Sequence, residues 1–414
     1  MRRAVLTAVL LGLISAAAAP AAHAAPHVDL VTFGPGDLIF TRFGHGALCV
    51  APSDDASDDD ITCYNYGVTN FNQPNLVMKF LRGGVKFWVD TDSMTETLDH
   101  YNLQDRTIYR QRLLLGEAAT AQIIARLEHD IRPENREYLY DHFRDNCTTR
   151  LRDIIDDALG GALHAAVAGR HFDQTYREIT YDGVSDMVGL LVAGDFLMGG
   201  VSDRYPTLWE ALFLPQVMRA ELSALRLGGQ PVVGPTEILA TRVGPEPSPG
   251  SPAAGHATLF MIAGLLAPLM FWACRRHGRA RRIALGVAGG LLGLLAVAID
   301  VIVGIAVTKE LAANLLILVL LPTDLMLPVL AVLARDPAGR AARALRSYLT
   351  VRAAFLTLVM VATLVGLLHQ QMATVVALVV ALLVVPLVSI ALEPAALRVP
   401  ARARAESVPA EPTV

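Results

Sequence analysis

Apolar residues cluster along this chain instead of spreading evenly. From about residue 258 to about residue 392, charge is confined to short Arg-rich breaks between apolar segments. These segments are Leu259–Ala273, Ile283–Val307, Ala312–Ala334, Leu349–Leu368 and Ala373–Leu392. A membrane span needs about 20 apolar residues. The pattern therefore predicts about five spans, the first reaching full length if it is extended back to Ala253. Residues 26–240 mix polar and apolar positions and are numerous enough to bury a core of their own. Pro and Gly thicken between Gly228 and Gly255, which reads as a linker into the first span.

Within the polar half, Gly36–Pro52 alternates. Leu38, Phe40 and Arg42 are followed by Ala47, Leu48 and Val50, predicting one or two strands broken near Gly44 and Gly46. Ile61–Gly67 is the returning strand. Ser53–Asp60 between them carries five aspartates but lacks the Gly and distal Glu of a calcium loop, so it reads as a solvated turn. Cys49 and Cys63 are symmetric about the hairpin centre, and the pairing predicts a disulfide between them. Gly116–Ile131 has Ile123, Ile124 and Leu127 on one helical face. A second helix follows Asp145-Asn146, with Leu151, Ile154, Ile155, Ala158 and Leu159 in period and Gly160-Gly161 as its stop.

The ends of the chain and its charges set a direction. Arg2 and Arg3, the apolar Ala4–Ile14 and Ala22-His23-Ala24 read as a secretory signal with a cleavage site, an uncleaved anchor being the rival reading, which the shortness of the apolar stretch and Pro20 disfavour. Basic residues then alternate. Arg275, Arg276, Arg279, Arg281 and Arg282 follow the first span. Arg335, Arg340, Arg343, Arg346 and Arg352 follow the third, and Arg398, Arg402 and Arg404 occupy the tail. Of the two remaining breaks, one holds Lys309 alone and the other no Lys or Arg. Arg-rich breaks face the cytoplasm, so residues 26–257 are expected outside the inner membrane and the C-terminus inside. The expected organisation is a signal over 1–25, an extracytoplasmic domain over 26–228, a linker over 229–257, a membrane domain over 258–393 and a tail over 394–414.

Composition narrows the classes further. The chain is 53% hydrophobic and 18% charged, against about a quarter charged in ordinary soluble proteins. A wholly soluble enzyme is excluded. The net charge of −4 argues against a nucleic-acid partner, and four cysteines do not make a disulfide scaffold. No metal or cofactor is expected. Asp300 and Asp324 lie in or beside apolar segments, where a carboxylate is functional or paired; for Asp324 the alternative is a helix cap near the interface. Gly286, Gly289, Gly290 and Gly293 fit close helix packing.

Cys147 stands at the first turn of an amphipathic helix, with Asp145 or Asn146 as its cap, among Arg144, Thr148, Thr149 and Arg150. Unpaired N–H groups and the helix dipole lower a thiol pKa there, which predicts a reactive nucleophile. A nucleophilic thiol needs a base. Among the eleven histidines, His45 is distinctive because it sits between two glycines, which leave room for a ligand or a second backbone. His100, His129, His142, His164 and His171 carry no comparable signature.

Several stretches in order carry a resemblance: Phe43-Gly-His-Gly-Ala-Leu48, Tyr64-Asn-Tyr-Gly67, Phe80-Leu-Arg-Gly83, Asp145-Asn-Cys-Thr-Thr-Arg-Leu-Arg-Asp153 and Trp209-Glu-Ala-Leu-Phe-Leu-Pro215 before a multi-span tail. Together they resemble the Lnb-type bacterial lipoprotein N-acyltransferases over about residues 35–220. In the membrane half only the layout matches, with Asn314 and Leu321-Pro322 as echoes. The resemblance implies an α+β chain: a circularly permuted papain-like extracytoplasmic domain, then an α-helical membrane domain. It implies Cys147 as nucleophile and His45 as base, with the orienting residue on the strand after the histidine. Asn65 meets that requirement, because pairing 49 with 63 sets it opposite Ala47 on the face of His45; Asn146 and Tyr64 are alternatives. Arg150 would hold a lipid phosphate or pair with Asp153 or Asp156. The implied reaction moves an acyl chain from a phospholipid, through a thioester, to the N-terminal amine of a diacylated lipoprotein. A cell-wall cysteine peptidase or amidase and a non-catalytic membrane sensor are the competing functions.

Overall fold

The computed structural model describes residues 25–70, 72–275 and 278–392. The signal segment up to residue 24 and the tail from residue 394 lie outside the described residues. The N-terminal half is built on a seven-stranded antiparallel sheet. Its strands are β1 (His27–Phe33), β2 (His45–Ala51), β3 (Thr62–Val68), β4 (Lys86–Ser93), β5 (Ile108–Arg112), β6 (Glu137–Leu139) and β7 (Glu237–Ala240), ordered β6-β4-β3-β2-β1-β5-β7. Alternation sends successive side chains to opposite faces. Val28, Leu30, Leu48 and Tyr66 pack on one side against α2 (Glu117–Asp130) and α3 (Cys147–Ala158). Val31, Phe33, Ala47 and Cys63 pack on the other side with Met94 and Tyr101 of α1 (Met94–Leu103).

The hairpin forms in the expected register. Cys49 opposes Cys63, the two are disulfide-bonded with Cα atoms 3.9 Å apart, and Ala47 opposes Asn65. The strand expected over Leu38, Phe40 and Arg42 does not form. Gly36 N–H donates to Thr41 O at 3.0 Å and Thr41 Oγ1 to Leu38 O at 2.8 Å, closing a local turn in place of a ladder. Leu38 and Phe40 are left 68% and 53% exposed. β1, just upstream, takes the sheet position instead. Glu237–Ala240, inside the stretch read as a linker, adds an edge strand to β5.

Four long apolar helices form the second half: α4 (Ala254–Arg275), α5 (Arg279–Ile305), α6 (Arg340–Leu364) and α7 (Ala373–Ala391). The expected third span is bent. Lys309–Leu318 and Pro322–Leu333 meet at 53°. This pair begins beside the N-terminal domain, where Gly199 N–H donates to Glu310 O at 2.6 Å. It ends at Ala334 and Arg335, which border the same cavity as Gly278, Arg281 and Arg343. It therefore runs the length of the bundle as a broken crossing. Gly289 and Gly293 make the bend possible: a Cβ on Gly289 would lie 2.7 Å from Asp324 O.

Asp324 and Arg352 depart from the expected topology. Arg352, expected in a cytoplasmic break, is 3% exposed within α6. Its Nε donates to Asp324 Oδ1 at 3.1 Å and its Nη2 to Oδ2 at 3.2 Å, while Tyr348 Oη donates to Oδ1 at 2.7 Å. Asp324 is fully buried in this pair and does not cap a helix at the interface. In a low-dielectric interior a charge persists only when it is paired. Asp300 is half-buried in α5.

Polar contacts tie the two halves together. Asp195 is 2% exposed and accepts from Tyr181 Oη at 2.6 Å and Thr374 Oγ1 at 3.0 Å, with His256 Nε2 2.9 Å away. Asn314 Nδ2 donates to Phe196 O at 2.7 Å. Arg144 Nη2 donates to Glu310 Oε1 at 2.7 Å.

Candidate active site

Cys147 opens α3, and Asn146 caps that helix. Asn146 Oδ1 accepts the Thr149 N–H at 2.9 Å, and Thr149 Oγ1 accepts the Asn146 N–H at 2.8 Å. Asn146 Nδ2 donates to His142 O at 3.1 Å and Phe213 O at 3.0 Å. Its side chain is thus committed to holding the turn that carries the sulfur.

His45 opens β2. Its ring stacks on Phe33 and Tyr101, both with centroids 5.7 Å away, on the α1 side of the sheet. α3 lies on the other side. Glycines let it come close: a Cβ on Gly46 would sit 3.0 Å from Leu151 Cδ1, and one on Gly67 would sit 3.3 Å from Cys147 Cβ. Gly67 has φ +91° and falls at the register irregularity between Tyr66 and Val68, so it forms a bulge that a side chain would strain. His45 and Cys147 thus reach one cavity of about 400 Å³ from two sides of the sheet end. His45 Nε2 is buried with no hydrogen-bond partner, and the thiol's neighbour is Thr148 Oγ1 at 3.7 Å. Both side chains border the cavity without a hydrogen bond between them, an arrangement that often tightens only around substrate.

The electrostatics reverse one expectation. Burial raises the Cys147 pKa above the ordinary thiol value, outweighing the Thr148 hydroxyl, the Gly46 and Thr148 N–H groups and the Arg106 guanidinium, all of which lower it. The helix N-terminus acts in the predicted direction, but desolvation is larger. His45 is depressed to about 3, by burial first and then by Arg106 and His100, with Asn65 opposing. At neutral pH the pair therefore rests as thiol and neutral imidazole.

The other expected residues separate. Asn65 lies beside His45: its Nδ2 donates to Asp92 Oδ2 at 3.3 Å, and its buried Oδ1 is unpartnered. Tyr64 faces the α2–α3 side and packs against that core. Arg150 pairs with Asp145 through two hydrogen bonds of 2.6 and 2.8 Å and lies 4.1 Å over the Tyr138 ring, so neither Asp153 nor Asp156 is its partner. Tyr64 and Arg150 do not border the cavity.

The structure adds residues that the sequence did not single out. His142 borders the cavity; its Nδ1 lies 3.3 Å from Tyr140 Oη, and its Nε2 is buried without a partner. Burial lowers its pKa to about 4, with Asp141 and Glu310 opposing. It sits in a loop, where no periodicity marks a facing direction. Thr308, Glu310 and Leu311 come from the start of the bent pair, so the membrane half supplies one wall. Phe40, Phe43, Phe80, Phe87 and Phe213 make the remainder strongly apolar. Among the described residues no three His, Cys, Asp or Glu side chains converge as a metal site.

A family model described as the Lnb N-terminal periplasmic domain matches residues 18–181. No curated protein and no solved structure gives a significant match.

Proposed function

The chain is an Lnb-type protein with a periplasmic N-terminal domain and several membrane helices; on that premise we propose that it is a thiol acyltransferase that N-acylates lipoproteins. The observation that carries this reading is the placement of Cys147 and His45 on one apolar cavity whose wall is completed by the membrane half. A peptide-cleaving site needs polar groups along an open cleft to hold a backbone. Here phenylalanines line a seam beside the spans, which suits an acyl chain, with each buried methylene contributing about 0.8 kcal/mol.

In this reading His45 takes the thiol proton as Cys147 Sγ attacks the ester carbonyl of a phospholipid. The Cys147 and Thr148 N–H groups at the helix start, which have no intrahelical acceptors, stabilise the oxyanion. The C–O bond breaks, and the lysophospholipid oxygen takes the proton from His45. The thioester is then attacked by the α-amine of a diacylated lipoprotein; the C–N bond forms, the C–S bond breaks and the sulfur regains a proton. Asn65 orients His45. The Arg-rich end of the bundle lies in the cytoplasm, with the domain on the periplasmic side of the inner membrane and the C-terminus inside.

The test uses an alkynyl phospholipid and mass spectrometry of a reporter lipoprotein N-terminus. Wild-type protein acquires a hydroxylamine-sensitive label and acylates the reporter; Cys147→Ala does neither, and His45→Ala loses the acylation. Equal labelling of Cys147→Ala would sink the thioester, and undiminished acylation by His45→Ala would remove the base.

A further inference from the structure

Part of the cavity lining is polar: the His142 ring packs against Phe43 and Phe213, with centroids 4.6 and 5.5 Å away, and its neighbours on the membrane side are polar. His142, Thr308 and Glu310 border the cavity there. His142 Nε2 and Thr308 Oγ1 are both buried and without a hydrogen-bond partner. Leaving such an atom unsatisfied costs about 1–3 kcal/mol, so two on one wall mark a place where a ligand supplies the partners. The charges nearby select the ligand's sign. Glu310 is 6% exposed, and Asp141 flanks His142. Arg144, a cation on this side, is already paired with both, at 2.7 Å to Glu310 and 3.4 Å to Asp141. A phosphate would meet two carboxylates there, whereas an amine or ammonium finds acceptors.

We propose that His142, Thr308 and Glu310 form the acceptor-amine subsite, and that His142 Nε2 takes the proton of the attacking amine. The proposal rests on the acyl-transfer reading and gives a base to its second half-reaction. An α-amine has a pKa of about 8 and arrives largely as ammonium near neutrality. One proton leaves to water as the amine settles against the wall. The free amine attacks the thioester carbonyl, and as the C–N bond forms its second proton passes to His142 Nε2. The C–S electron pair returns to Cys147 Sγ, and the proton on His142 then reprotonates that thiolate. His142, neutral in the resting site, accepts at Nε2 in the tautomer whose Nδ1–H donates to Tyr140 Oη. Tyr140 Oη, 3.3 Å from Nδ1, holds the ring so that Nε2 meets the amine.

The experiment uses full-length protein in detergent with an alkynyl phospholipid and a diacylated reporter lipopeptide, reading thioester formation and N-acylation separately. His142→Gln is expected to form the thioester at close to the wild-type rate while transfer falls roughly 100-fold, so label accumulates. Transfer within twofold of wild type overturns the proposal. So does loss of the thioester in a His142→Gln protein that unfolds at the wild-type temperature, because His142 then serves the first step. If His142→Gln does not fold, Tyr140→Phe, which keeps the ring volume, decides: a lowered ratio of transfer to thioester supports the proposal and an unchanged ratio overturns it. Absence of label on wild-type protein would instead refute the acyl-transfer reading itself.

Discussion

Gly67→Ala tests whether the sulfur is positioned by the bulge of β3. Two penalties are readable from the structure. The backbone at Gly67 has φ +91°, a region costing an alanine about 1–2 kcal/mol. The new Cβ would also lie 3.3 Å from Cys147 Cβ, closer than ordinary contact, so one must move by a few tenths of an ångström. Cys147 cannot yield freely, because the reciprocal Asn146–Thr149 cap fixes the first turn of α3. A misplacement of about 1 Å can cost about 100-fold in rate, so a third of that predicts roughly a 5-fold slower thioester formation. At about 2–4 °C per kcal/mol for a domain of this size, the melting temperature should fall by about 2–8 °C. The assay pairs alkynyl-phospholipid labelling with thermal unfolding. Gly229→Ala is the control: Gly229 has φ +81° but open space around its Cβ, so it carries the strain without the contact. It should lose stability and label normally. Gly67→Ala labelling as fast as wild type would refute the positioning argument.

Two further outcomes follow from buried charge. Asp324→Asn leaves the Arg352 guanidinium uncompensated and should destabilise the detergent-solubilised protein by about 3–5 kcal/mol; Asp324→Leu with Arg352→Leu should recover most of that, and a double variant no more stable than the single would contradict it. Acid should also destabilise the protein. His45 and His142 have folded pKa values of about 3 and about 4, below the ordinary 6.5, so the unfolded chain takes up protons first. The contribution of the two histidines is then flat above about pH 6.5, is lost as pH drops through the interval to about 4 and 3, and is constant below it. For His142, lowered to about 4, the contribution lost across that interval is about 3 kcal/mol. Unfolding temperature against pH checks this, and an acid limb just as steep in His142→Gln would count against it.

Legibility differed by residue for physical reasons. Cys147 and His45 could be found because each stands where local pattern is informative: one just after a helix cap, the other between glycines at a strand start. The Cys49–Cys63 register followed from hairpin symmetry, and Asn65 followed from that register. His142 could not be found in this way, since a loop residue has no periodic neighbour to say which way it faces. Thr308 and Glu310 were out of reach for another reason. They lie more than 150 positions from Cys147 and meet it only because the bent pair starts at the seam.

The amino-acid sequence by itself determined the division into a sheet-bearing polar half and an apolar half, the helix that begins at Cys147 and the facing of the paired cysteines. All of these depend on interactions between residues near one another along the chain. Tertiary structure alone decided the protonation of the site, the partner of Arg352 and the membrane-derived wall of the cavity. Desolvation depends on what is packed around a group from every side, and a thiol that its own helix would ionise is kept protonated by neighbours far away in the chain.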